Sequence, residues 1–310
     1  MKIVVTGATG YIGSHLVEAL LAANHNVHVI ARSFPGLLRA KDIIHPNLSC
    51  HKADISDINQ ILPIFASADV VYHLACSSLP HSSNNSPIDD VSININGSLN
   101  VLESSRLASI KKFIFVSSGG TVYGLPSVVP IPESHGTNPL CSYGITKLAI
   151  EKYVALYQHL YGLKGLILRV ANPYGGRQNI ESSHGVIPNF LNRALLRQPL
   201  YIIGDGSIVR DFVHISDLVS ALIASCSYSG YENIFNIGSG VGVSILELVE
   251  KLELLLGRHL QVNFQEGRSC DVSTNVLSVT KAKSHLRWVP QISIENGLLQ
   301  YYKELTKTIY

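Results

Sequence analysis

Tyr143 and Lys147, in the stretch Ser142-Tyr143-Gly144-Ile145-Thr146-Lys147, are the pair in this chain best suited to moving a proton. The stretch opens a helical pattern, and residues at i and i+4 share one helix face, so the phenol and the ammonium point into the same space. A free tyrosine, with a pKa of about 10, is a poor base at neutral pH. A nearby cation favours the phenolate and lowers that value, which is what a proton-transfer catalyst requires.

A second motif gives this pair its weight. Lys2-Ile3-Val4-Val5-Thr6 is a short β-branched run that reads as a buried strand. It leads directly into Gly7-Ala8-Thr9-Gly10-Tyr11-Ile12-Gly13 and then into the helical pattern that begins at Ser14. Strand, glycine-rich turn and helix together form a diphosphate cradle. Glycines allow the tight turn and close backbone approach, and the helix N-terminus offers unpaired N–H groups and a positive dipole end. The spacing is G-x-x-G-x-x-G, where most dinucleotide sites have G-x-G-x-x-G.

Strands and helices alternate up to about Asn172, which predicts an α/β fold with a doubly wound parallel sheet covered on both faces. Val27–Ile30 reads as the second strand. Beyond Asn172 the pattern loosens into short strands, turns and an amphipathic helix from Ile245 to Leu256, which suggests a smaller mixed α/β domain. The expected division is therefore 1–172 and 173–310. Ser77 to Pro87 is a polar loop that either flanks the nucleotide or is simply solvated.

Composition narrows the partners. Lys and Arg number 24 against 22 Asp and Glu, so nothing in the charge favours nucleic acid or an anionic membrane. Charged residues make up only 15%, against about 25% in an average domain, which fits either a shared apolar surface in a homodimer or a large interior. The five cysteines, Cys50, Cys76, Cys141, Cys226 and Cys270, are scattered and odd in number, as expected of reduced thiols in a cytoplasm. No run approaches the roughly 20 apolar residues of a membrane span, and no signal-peptide pattern opens the chain. The thirteen histidines lack a ligand-spaced cluster with Cys or carboxylates, so no metal site is expected.

In its motifs, the chain resembles the extended short-chain dehydrogenases/reductases, and within them the nucleotide-sugar epimerases and dehydratases. The likeness covers almost the whole length. The resemblance implies a Rossmann domain that binds NAD through Gly7, Gly10, Tyr11, Ile12 and Gly13, with Asp54-Ile55 at the adenine. Val71-Tyr72-His73-Leu74-Ala75 resembles the fourth strand, which brings Ala75 beside the cofactor, and Asn94-Ile95-Asn96-Gly97 the helix asparagine motif. Phe113–Ser118 with Thr121-Val122-Tyr123-Gly124 resembles the strand that carries a catalytic hydroxyl. Leu168–Pro173 is similar to the segment where nicotinamide and substrate sites meet, which places Asn172 at the sugar. The segment from about 211 to 236 is expected to return and pack on the first domain.

By the same resemblance, Tyr143 removes a proton from a sugar hydroxyl while Lys147 holds the phenolate and the nicotinamide ribose. The bridging hydroxyl usually lies three residues before the Val of Val-Tyr-Gly. That place is Gly119 here, so the role passes to Ser118 or Thr121, with Ser118 favoured on spacing. Sugar dehydratases follow that hydroxyl with an Asp-Glu pair; Gly120 and Thr121 stand there instead, and neither exchanges a proton as a carboxyl does. Epimerisation at C4 is therefore the expected reaction. A 4-keto-sugar reductase and a non-catalytic dinucleotide sensor are the alternatives. Ala31-Arg32 replaces the acidic residue that commonly binds the adenosine ribose, so NADP competes with NAD. Arg210 and Arg268 resemble the arginines that grip the diphosphate of a nucleotide sugar, and Asp271 the residue at its ribose. Asn275, seven residues after Arg268, corresponds to the position beside the sugar C2, where a residue smaller than tyrosine leaves room for an N-acetyl group.

Overall fold

The computed structural model describes residues 1–34, 45–78, 80, 82–178, 185–267 and 272–309. The central strands of its main sheet are apolar almost throughout, as strands covered on both faces must be. In chain order the first half comprises β1 (Lys2–Thr6), α1 (Tyr11–Ala22), β2 (Asn26–Ala31), β3 (Leu48–Lys52), α2 (Ile58–Phe65) and β4 (Val70–His73). Then come α3 (Pro87–Asp90), a π-turn over Val91–Ile95, α4 (Asn96–Leu107), β5 (Lys112–Ser118), α5 (Ser142–Tyr161) and β6 (Gly165–Val170). A later strand, β10 (Ile234–Ile237), joins the edge beside β6. The order is β10-β6-β5-β4-β1-β2-β3, and all six pairings are parallel. The order reverses between β1 and β4, and that switch point is where an open parallel sheet forms its ligand crevice.

Side-chain alternation divides the core between the two faces of this sheet. Ile3 and Val5 pack with Leu16, Val17 and Leu20 of α1, and with Leu218, Ala221 and Leu222 of α7 (Ile215–Ser227). Val4, between them, faces the other way, toward Val101 and Leu102 of α4 and Ile150 and Val154 of α5. At about 25 cal/mol per Å² of apolar surface removed from water, these two layers are the main stabilising term.

The remaining elements form a smaller lobe. They are β7 (Asn172–Tyr174), α6 (Val186–Leu195), β8 (Leu200–Ile203), β9 (Val209–His214), β11 (Gly242–Ser244), α8 (Ile245–Leu256), β12 (Val262–Gln265), β13 (Thr274–Asn275) and α9 (Ile294–Ile309). Strand β9 is the hub, pairing with β7, β11 and β13, while β8 and β12 pair separately. Helix α8 spans the range that its sequence suggests because both ends are capped. Ser244 and Glu247 form a reciprocal capping box, and Gly257 closes the helix at φ 64°. Asp211 of β9 ties the lobes together. Its buried carboxylate accepts from Ser239 N (2.7 Å), Ser239 Oγ (2.6 Å), Gly240 N (3.2 Å) and Leu277 N (3.2 Å).

Candidate active site

A cleft runs along the C-terminal ends of β1, β4, β5 and β6, centred on the glycine turn. Gly7 has φ +71°, and a Cβ there would lie 2.6 Å from Ala75 N, so the turn needs glycine both for its conformation and for its approach to the end of β4. A Cβ on Gly13 would sit 2.2 Å from Gly7 O, which makes the third glycine a condition for seating α1 against the turn. Helix α1 starts after Gly10 without a side-chain cap and without an acid in its first turn. The N–H groups of Tyr11, Ile12 and Gly13 therefore lack intrahelical acceptors, and the dipole favours an anion there. This donor set fits the diphosphate of a dinucleotide.

From the glycine turn the cleft extends in two directions. One arm is lined by Ala31, Arg32, Asp54, Ile55, Ala75, Ser77 and Asn94. Here Asp54 is held below its ordinary pKa, first by the Ser56 N–H (2.9 Å to Oδ1) and also by the charge of Arg32. Asn100 Nδ2 fixes the carbonyls of Ile55 (3.0 Å) and Ser56 (2.8 Å). Gly97 makes room for Ile55, since a Cβ there would be 2.8 Å from Ile55 Cδ1. These contacts explain the pairing of an Asp-Ile loop with an Asn-Gly helix: one shapes the wall that the other supports.

The other arm is lined by Gly10, Tyr11, Ile12, Gly13, Ser118, Tyr143, Lys147, Val170 and Ala171. Lys147 is buried, its Nζ 3.0 Å from Val116 O, 4.9 Å from the centre of the Phe115 ring and 5.6 Å from that of Tyr143. The Tyr143 phenol lies well above its ordinary pKa, chiefly through desolvation and secondarily through Cys76 and Cys141; its hydrogen bond with Ser118 pulls the other way. Deprotonation at neutral pH therefore requires added positive charge in this arm. Thr121 turns away: its hydroxyl donates to Ser118 O at 3.5 Å. Gly119 has a physical reason to be glycine, because a Cβ would lie 2.5 Å from Leu277 Cδ1.

A third hollow opens in the smaller lobe, lined by Asn172, Tyr174, Phe190, Tyr201, Arg210 and Phe212 among others. Asn172 Nδ2 donates to Asp211 O at 2.9 Å, and Arg210 Nη1 donates to Val209 O (2.9 Å) and Val272 O (2.7 Å). Asn275 is fully buried next to this wall, paired in register with Arg210. Its Nδ2 donates to Gly119 O at 3.2 Å, which places it beside the Ser118 segment, and its Oδ1 has no partner. Arg268 and Asp271 lie outside the described residues.

Three parts of the site carry no legible signal in the sequence. Asp90, the last residue of α3, is buried and reaches both α5 and Asn94. Ser83 Oγ and Asn84 Oδ1, from the polar loop, accept from the backbone N–H groups of Tyr143 (3.0 Å) and Ser142 (2.8 Å), capping the helix that carries Tyr143 and Lys147. Glu151 and Arg169 form a buried ion pair at 2.6 Å behind β5, and Ser117 Oγ donates to Glu151 at 2.5 Å. Only the Ser/Asn-rich composition of the loop hints at capping. Among the described residues, no group of three or more His, Cys, Asp or Glu is placed to hold a metal, and no helix is long and apolar enough to cross a membrane.

The architecture and the sequence have close counterparts. The UDP-glucose 4-epimerase of Mycolicibacterium smegmatis is 34% identical over 304 residues, covering 96% of each chain. The crystal structure of the Thermotoga maritima UDP-glucose 4-epimerase with UDP-glucose superposes with a TM-score of 0.93 at 35% identity, covering 100% of both chains. The UDP-N-acetylglucosamine 4-epimerase from Methanobrevibacter ruminantium M1, solved with UDP-N-acetylmuramic acid, gives 0.93 at 29% identity over 99% and 98% of the two chains. Residues 3–238 match the model of one family throughout, from the glycine turn to the edge strand β10. On sequence, fold and the chemistry lining its cleft, the chain belongs to the NAD dependent epimerase/dehydratase family.

Proposed function

We propose that this protein is an NAD-dependent nucleotide-sugar 4-epimerase that interconverts UDP-glucose and UDP-galactose and the corresponding N-acetylhexosamine pair. The observation that carries this reading is the content of the catalytic arm. Tyr143, Lys147 and a hydroxyl at Ser118 are present, while Gly120 and Thr121 stand where a dehydratase would need an acid and a base. NAD would be held by the N–H groups at the α1 N-terminus and along the Asp54–Asn94 wall, where it would supply reversible hydride acceptance for the sugar C4. Tyr143 takes the proton of the sugar 4-hydroxyl, and Ser118 orients that oxygen through its bond to the phenol. Lys147 and the positive charge of the oxidised cofactor offset the burial that raises the Tyr143 pKa. Arg210 and Arg268 hold the diphosphate, with Asn172 at the sugar and Asp271 at the nucleoside ribose. Residues 1–172 serve as the cofactor domain and 173–310 as the substrate domain, with about 211–236 packing back on the first.

The test is turnover of UDP-glucose, UDP-galactose and their N-acetylated counterparts, with product analysis and assay of the nicotinamide retained after purification. An epimerase keeps its NAD and needs no added cofactor; stoichiometric consumption of NADPH would show a reductase, as Arg32 in the adenosine arm would allow. Tyr143→Phe should lower kcat by at least about 10²-fold while nucleotide binding persists. Asn275→Tyr should impair the N-acetylated pair more than the plain hexoses. We also read the protein as a homodimer. Val91, Leu107, Leu156, Leu160 and Tyr161 leave apolar surface exposed on the adjacent α3–α4 and α5 segments. Sedimentation at micromolar concentration tests this, and a monomer would refute it.

A further inference from the structure

Asp90 sits where the cofactor cleft meets the catalytic helix, and its carboxylate is saturated with neutral donors. One oxygen accepts from Ser78 Oγ and from Asn94 Nδ2 at 2.8 Å. The other accepts from Ser142 Oγ at 2.6 Å and Thr146 Oγ1 at 2.8 Å. Four donors fill the four lone-pair sites that an ionised carboxylate presents. Burial raises its pKa, yet these bonds together hold it below the ordinary value, so the group stays charged at neutral pH. The side chain is 3% exposed.

The two sets of donors belong to different machinery. Ser142 and Thr146 are an i, i+4 pair on α5, one position N-terminal to Tyr143 and Lys147 respectively, so they define the adjacent helix face. Pinning that face fixes the rotation of the first turns of α5 about their axis, and with it the direction of the phenol. Asn94 and Ser78 belong to the cleft walls, one in each arm. Asn94 Oδ1 in turn accepts from Ser77 N at 3.0 Å. One buried anion thus joins both walls of the cleft to the helix that carries the proton-transfer group.

We infer that Asp90 is a positioning residue that couples the walls of the cofactor cleft to the orientation of Tyr143. The inference rests on the reading of Tyr143 as the proton-transfer group. A neutral amide at position 90 can accept at one end only, so Asn94 and the α5 hydroxyls can no longer all be satisfied. A displacement of about 1 Å at a catalytic group costs about 10²-fold in rate.

The test separates the two sides of the clamp. Ser142→Ala with Thr146→Val cuts only the α5 side. It should lower kcat by about ten- to hundred-fold, leave KM for the nucleotide sugar unchanged, and leave NAD affinity, measured by equilibrium dialysis, unchanged. Ser142→Thr with Thr146→Ser keeps both hydroxyls and should retain the kcat of the parent. Asp90→Asn cuts both sides and should weaken NAD binding as well as kcat. Tyr143→Phe is run in parallel: if it stays active, the underlying reading fails and not the clamp. Two results overturn the clamp. One is parental kcat in the Ala/Val variant. The other is a fall of kcat, NAD affinity and melting temperature with a rise of KM in that same variant, which marks a merely structural role.

Discussion

His73 at the end of β4 offers a sharp test of how the cleft floor is built. The imidazole is fully buried, with Nδ1 2.7 Å from Thr6 Oγ1 and Nε2 2.8 Å from Ser98 Oγ. Ser98 donates its own proton to Asn94 O at 2.6 Å, so its oxygen must accept from Nε2–H. Nδ1 is then bare and accepts from Thr6, whose oxygen accepts in turn from Ala75 N at 3.4 Å. The ring is a neutral link in a directed chain. Desolvation, with the charge of Lys147 adding to it, depresses its pKa from 6.5 to about 3. The unfolded chain takes up this proton below pH 6.5 and the folded chain does not, so the stabilisation is complete above pH 6.5 and is lost as pH falls toward 3. Each pH unit in that window costs about 1.4 kcal/mol, or about 3 kcal/mol between pH 8 and pH 4 from this one group. Urea unfolding of the parent and of His73→Asn across that range measures it. The stability gap between them should shrink by about 3 kcal/mol on acidification. A gap that does not change with pH, or a His73 NMR resonance that titrates near 6.5, would refute the assigned tautomer and burial.

Two further outcomes follow from contacts around the same strands. Ser118→Ala should reduce kcat by about 10²-fold or more, whereas Thr121→Val, which loses only a bond to a carbonyl, should stay within about threefold on the same turnover assay; equal mild effects would mean that neither hydroxyl serves. Glu151→Leu leaves Arg169 buried without its partner and should cost about 3–5 kcal/mol in urea unfolding, while adding Arg169→Met should recover most of that loss; no recovery in the double variant would contradict the pairing.

How much of this was legible in the sequence depended on the range of the interaction. The glycine turn and helix α8 read correctly because their signals are local: a strand running into glycines, and Ser244, Glu247 and Gly257 at fixed offsets from one helix. The second strand runs one residue further at each end than its apolar pattern, since Asn26 and Ala31 pair with Lys2 and Lys52 whatever their side chains. Asp90 gave no signal, because the hydroxyls that define its role lie 52 and 56 residues further along the chain. Gly119 departs from the family pattern because Leu277, two residues past β13 and 156 or more residues along the chain, fills the space of a side chain there. The cap on α5 was hidden for a related reason. Cys141 precedes the helix without capping it, and the acceptors come from Ser83 and Asn84 instead.

The π-turn over Val91–Ile95 makes the winding of this segment a determinant of chemistry. A π-turn accommodates about one residue more than the α-helical turn it replaces, and each residue of an α-helix advances the azimuth by about 100°. Winding the same residues as α-helix would fuse α3 and α4 into one continuous helix while leaving Asn94, Gly97 and Ser98 in phase with the sheet. Everything upstream would swing round by about that angle, carrying the Asp90 carboxylate away from Ser142 and Thr146 of α5. Relatives of equal length that wind this segment as α-helix would thus share Tyr143 and Lys147 and yet lack the Asp90 brace. Aligning such chains by residue identity alone would conceal the difference, whereas the helical phase of the segment would reveal it.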